Sequence, residues 1–129
     1  MSKQILIVDD KKEILDVVQL ILDLRGYSTL IAKNGAECLE ILNKQRVDLI
    51  ILDIMMPEMN GWEVLRQLKS QGKTGALPIV ILTSKSQSID QVLGLKVFGV
   101  SDYLTKPFTQ ENLLEKISKA LGVVSPRKD

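Results

Sequence analysis

Three short aliphatic runs constrain this chain more than anything else in it: Ile-Leu-Ile-Val at 5–8, Leu-Ile-Ile-Leu at 49–52 and Ile-Val-Ile-Leu at 79–82. None alternates apolar with polar residues, so none has a solvent-facing side. Each suits a strand covered on both faces, as in a parallel sheet. Weaker strand candidates lie at Ser28–Ala32 and Asp102–Leu104. Parallel strands need crossovers, and the intervening segments have helical periodicity. Ile14, Val18, Ile21 and Leu22 share one face of a helix ending near Gly26, and Ala36, Leu39 and Leu42 share another behind Asn34. Val64, Leu65 and Leu68 mark a third helix after Gly61, and Ile89, Val92, Leu93 and Val97 a fourth ending near Gly99. Thr109 caps a fifth with Leu113, Leu114, Ile117 and Leu121 on its apolar face. The pattern predicts an α/β fold, a doubly wound five-stranded parallel sheet flanked by five helices.

Length and composition narrow the function. The 129 residues suit one domain, read as 1–122, with 123–129 a tail or the start of a linker. Seventeen Lys and Arg against 16 Asp and Glu give no general attraction to nucleic acid or to an anionic membrane. There is no histidine, which excludes a histidine-based triad and a histidine phosphocarrier. Cys38 stands alone, so no internal disulfide or cysteine-rich metal site can form. No cationic leader with an apolar core begins the sequence and no apolar run approaches a bilayer span. A cytoplasmic protein is the expectation.

In open α/β sheets the ligand crevice lies beyond the carboxyl ends of the strands. The first aliphatic run is followed by Asp9 and Asp10, the second by Asp53 and the third by Thr83 and Ser84, while Lys106 precedes Pro107 after the fifth strand. Each has a structural alternative. Asp10 can cap the first helix, Thr83 or Ser84 the fourth, Asp53 can stabilise the turn at Met56-Pro57, and a lone lysine is usually solvated. Together on one edge of a sheet they form a more specific pattern. Clustered carboxylates repel unless a cation joins them, and oxygen donors without Cys or His suit Mg²⁺. Mg²⁺ commonly accompanies phosphate oxygens, an aspartate can accept a phosphoryl group covalently, and a lysine and a hydroxyl can stabilise that group.

These residues stand in segments that resemble the receiver domain of bacterial two-component response regulators. The matching stretches are Ile-Leu-Ile-Val-Asp-Asp at 5–10, Asp48 through Gly61 with Asp-Ile-Met-Met-Pro at 53–57, Ile-Leu-Thr-Ser at 81–84 and Asp-Tyr-Leu-Thr-Lys-Pro-Phe at 102–108. The resemblance implies the strand order 2-1-3-4-5. It also implies that Asp53 is the phosphoacceptor, that Asp9, Asp10, Asp53 and the Met55 backbone carbonyl serve Mg²⁺, and that Lys106 contacts the phosphoryl group through a loop with a cis bond to Pro107. Thr83 and Tyr103 would be the switch pair. The implied function is a phosphorylation-dependent signalling switch rather than an enzyme acting on a separate substrate. A cognate sensor histidine kinase or phosphotransferase would be its partner, with a homodimer through the face of the fourth helix, fifth strand and fifth helix, and no direct nucleic-acid or membrane binding.

This sequence departs from the family pattern in places. Ser84 replaces a usual small apolar residue, Val100 and Ser101 replace an alanine and a varied residue, and the interval from Thr83 to Lys106 is one residue long. Leu95 and Phe98 fall outside the core stripe of the fourth helix, and Val17, Leu20 and Leu24 form a second stripe on the first, either a wide buried face or a kinase-docking surface. The spacing of Asp90, Gly94 and Leu95 is reminiscent of receivers joined to winged-helix DNA-binding domains. A haloacid-dehalogenase-like phosphatase would need a second aspartate where Met55 stands. A flavodoxin-like carrier would have only two Phe, two Tyr and one Trp with which to sandwich a flavin, and no hydroxyl-rich phosphate loop follows the first strand.

Overall fold

The computed structural model describes residues 2–56, 61–72, 77–84 and 99–122. The aliphatic runs form β1 (Gln4–Val8), β3 (Leu49–Asp53) and β4 (Ile79–Ser84), with β2 (Ser28–Ala32) and β5 (Asp102–Lys106) as outer strands. All four neighbouring pairs are parallel and the order is β2-β1-β3-β4-β5. The helices among the described residues are α1 (Lys12–Leu24), α2 (Gly35–Lys44), α3 (Gly61–Ser70) and α4 (Gln110–Leu121). The expected helix over Ile89–Val97, with Leu95 and Phe98, lies outside the described residues.

Strand periodicity divides the aliphatic runs between two cores. Leu6, Val8, Ile50, Leu52, Ile79 and Ile81 pack toward Cys38 of α2 and Val64, Leu65 and Leu68 of α3. Ile5, Ile7, Leu49, Ile51, Val80 and Leu82 face Leu15, Val18 and Leu22 of α1 and Leu113 and Ile117 of α4. All twelve strand residues are fully buried, which is why none of the runs could alternate with polar residues.

Helix ends follow local chemistry. The Asn34 side chain accepts the Glu37 N–H at 2.9 Å while the Glu37 carboxylate accepts the Lys33 N–H at 2.9 Å, fixing the start of α2. Thr109 accepts the Asn112 N–H at 3.0 Å and starts α4 as expected. Beyond α1, Gly26 takes φ +86°, a left-handed conformation that favours glycine.

Several details differ from the sequence reading. Ala36 is exposed, because the fully buried positions of α2 are Gly35 and Cys38, while Leu39 and Leu42 of the expected face pack half-buried against the core. Leu15 belongs to the α1 core stripe, while Ile14 and Ile21 lie on its half-buried flanks. Strand β5 continues two residues past Leu104, pairing Thr105 with Thr83 and Lys106 with Ser84. That register is regular, so the extra residue between Thr83 and Lys106 is not absorbed within the two strands. No helix among the described residues is long and apolar enough to cross a membrane.

Candidate functional site

Because every strand runs the same way, the residues that follow or end β1, β3, β4 and β5 gather on one edge of the sheet. Asp9, Asp53 and Thr83 are buried there, and the only other buried polar side chain among the described residues is Ser118. Carboxylate oxygens of Asp9, Asp10 and Asp53 lie within 4.8 Å of one another.

Neighbouring groups hold the three carboxylates differently. Asp9 is bonded at both oxygens, Oδ1 accepting the Lys11 N–H at 2.9 Å and Oδ2 the Lys106 ammonium at 2.9 Å. Asp10 is more open, and its Oδ1 lies 3.7 Å from the Lys11 ammonium. Asp53 Oδ1 accepts the Met55 N–H at 3.0 Å. Its Oδ2 lies 3.4 Å from Lys106 Nζ, at ion-pair distance but without a hydrogen bond. Among the described residues Asp53 Oδ2 is the one buried side-chain oxygen or nitrogen that lacks a hydrogen-bond partner.

An orphaned carboxylate oxygen in a buried site is costly, and the charge balance reflects it. Burial pushes the Asp53 carboxyl above its ordinary value; the Met55 N–H opposes this, Asp9 repulsion adds to it, and Lys106 only partly offsets it. A divalent cation would relieve both the repulsion and the missing contact. Three carboxylates with no nitrogen or sulfur donor fit a hard ion such as Mg²⁺, which favours oxygen and keeps several waters.

The structural alternatives resolve unevenly. Asp10 does not cap α1, whose N-cap is Lys11 without a side-chain cap. Asp53 does support the turn after β3 through Met55, but with one oxygen only. Thr83 ends up buried beside the cluster edge, whereas Tyr103 is 42% exposed on β5 with the Lys116 ammonium 5.8 Å from its ring centre. The Lys106–Pro107 bond is cis. Trp62 packs half-buried on the α2–α3 core.

Gly61 carries a constraint that sequence reasoning did not identify. A Cβ there would sit 2.6 Å from Ile54 Cα and 2.9 Å from the Asp53 carbonyl oxygen. Its N–H also donates to the Ile54 carbonyl at 3.1 Å, so the start of α3 is pinned against the backbone that carries Asp53. Only the glycine's place at the end of the quoted motif hinted at this. The cavity beside the cluster, about 270 Å³ and lined by Asp10, Lys12, Leu15, Asp16, Ile31 and Lys33, has no aromatic wall for a flavin.

Comparison with known proteins adds an independent line. Residues 5–118 match the model of the response regulator receiver domain. The chain is 40% identical over 126 residues to response regulator MprA of Mycobacterium sp. strain KMS, covering 98% of this chain and 54% of that protein. It is 39% identical over 121 residues to the alkaline phosphatase synthesis transcriptional regulatory protein PhoP of Bacillus subtilis strain 168, covering 94% of this chain and 49% of that one. The chain thus spans about half the length of these curated relatives. Among solved structures, chemotaxis protein CheY4 of Vibrio cholerae superposes with a TM-score of 0.85 at 32% identity, over 93% of this chain and 99% of that one. A CheY-like receiver domain from Methanospirillum hungatei JF-1 gives 0.83 at 35% identity, over 93% and 94%.

Proposed function

The chain belongs to the response regulator receiver domain family, the phosphoaccepting module of two-component signalling, and we propose that Asp53 is its phosphoacceptor. The observation that carries this reading is the buried Asp53 Oδ2, left without a hydrogen bond beside two further carboxylates and a lysine. In the transfer, Asp53 Oδ2 forms a bond to phosphorus as the bond to the donor's histidine nitrogen breaks, and the electron pair stays on that nitrogen. Such transfer depends on positioning and charge neutralisation more than on acid or base catalysis, which suits a site without histidine.

Asp9, Asp10, Asp53 and the Met55 backbone carbonyl would hold Mg²⁺, which would supply positive charge beside the phosphoryl oxygens. Lys106, already between Asp9 and Asp53, contacts the phosphoryl group, and Thr83 donates its hydroxyl to it. The product carries roughly two negative charges where Asp53 carried one, which biases Thr83 and Tyr103 toward a second arrangement. The domain is a switch whose only catalysis is its own phosphotransfer and dephosphorylation.

The receiver comprises residues 1–122, with α4 ending at C-cap Gly122, and 123–129 are a tail or the start of a linker. A sensor histidine kinase or phosphotransferase docks on α1, where Val17, Leu20 and Leu24 are exposed. A homodimer uses the face of β5 and α4; the share expected from the fourth helix lies outside the described residues. The domain works in the cytoplasm without touching nucleic acid, and any DNA-directed output belongs to another domain, as the longer relatives suggest.

Intact mass after incubation with acetyl phosphate tests this reading. A Mg²⁺-dependent phosphoryl adduct that disappears in Asp53→Ala is expected. No adduct from small donors or from candidate kinases would point to a phosphorylation-independent adaptor.

A further inference from the structure

Helix α1 begins against the usual preferences. Its N-cap is Lys11, which makes no side-chain cap, and Lys12 follows, so two cations sit at the positive end of the helix dipole. Rule-breaking of this kind concentrates at functional sites. The two lysines have different partners. Lys12 pairs along the helix with Asp16 at 3.2 Å, whereas Lys11 reaches back to Asp10 at 3.7 Å. Asp10 is the most open carboxylate of the cluster, since Asp9 is bonded at both oxygens and Asp53 is almost wholly buried.

We propose that Lys11 sets the divalent-cation affinity of the site by competing for Asp10. This rests on the Mg²⁺ reading above and adds to it a specific antagonist. Without metal, the Lys11 ammonium offsets part of the repulsion among the three carboxylates. When the cation binds, Lys11 gives up Asp10 and its flexible, exposed side chain turns to solvent. The main-chain N–H of Lys11 stays on Asp9, so the backbone is held while the side chain leaves.

Isothermal titration with Mg²⁺ alone, with no phosphodonor present, tests this on the full chain. At low ionic strength Lys11→Gln should bind Mg²⁺ about two- to fivefold more tightly than the native chain, the size expected for losing one exposed ion pair. Lys11→Arg should restore native affinity, and Lys12→Gln should shift it less than Lys11→Gln. Added salt should narrow the gap between native and Lys11→Gln. Equal affinity of native and Lys11→Gln, an equal shift in Lys12→Gln, or a gap indifferent to salt would overturn the role of Lys11. No Mg²⁺ binding by the native chain would instead overturn the metal reading itself.

Discussion

Two aspartates bracket β3, and their surroundings could hardly differ more. Asp48 precedes the strand, accepts the Gln4 N–H at 2.8 Å and has the Arg46 guanidinium 3.6 Å away. Asp53 ends the strand with one oxygen on the Met55 N–H and the other without a hydrogen bond. Asp48 closes the amino-terminal edge of the sheet by satisfying a backbone donor. Asp53 keeps an oxygen that folding does not use, at an edge where parallel strands bring other charged groups together. Incomplete satisfaction, more than carboxylate character, separates the reactive end of the strand from the structural one.

The largest effect expected from this contrast is functional: Asp53→Ala should lose the phosphoryl adduct altogether, and Asp48→Ala should not. Asp48→Ala should retain Mg²⁺-dependent phosphorylation while losing about 1–3 kcal/mol of stability in urea unfolding, because a half-buried N–H loses its acceptor. Loss of the phosphoryl adduct in a folded Asp48→Ala protein would break the comparison. Next in size is Gly61→Ala, which drives a Cβ into the backbone of Ile54 and Asp53 and should cost roughly 1–3 kcal/mol. Unchanged stability there would mean that α3 is not pinned against the strand end.

The smallest effect is the most diagnostic. Asp53 holds its proton more tightly folded than unfolded, so its contribution favours the folded state as pH falls through the raised value and is lost as pH rises through it. Asp53→Asn should therefore be more stable than the native chain at pH 7, seen as a rise in Tm. The advantage should shrink toward the ordinary aspartate range near pH ~4. Denaturant unfolding at several pH values without Mg²⁺ checks this, and a less stable Asn variant at pH 7 would show that Asp53 is a structural anchor like Asp48.

What could be read from the sequence followed from how many constraints acted on each residue. Leu49 through Leu52 are buried on both faces, so their pattern had one interpretation, and the residue that follows was bound to lie on the carboxyl edge. Helices were harder, since only part of each circumference is constrained; hence Ala36 stood in for Cys38 and Leu15 was overlooked. The exposed Val17, Leu20 and Leu24 show why periodicity alone left that stripe open between core and docking surface. Asp9, Asp53 and Lys106 were legible as a cluster, but not which oxygens are bonded, because the Lys106–Asp9 contact spans 97 residues and depends on side-chain geometry. The close approach at Gly61 was hidden for the same reason. Cys38 joins the core, where burial pushes its thiol up to about 12, so it is an unreactive packing residue.

The most direct test of the central claim is to find the carboxylate that carries the phosphoryl group. Borohydride reduces an acyl phosphate and leaves a mass-detectable mark at the acceptor, so peptide mapping after phosphorylation with Mg²⁺ identifies the position. The account predicts the mark at Asp53 alone. A mark at Asp9, Asp10 or Asp48 instead would contradict it.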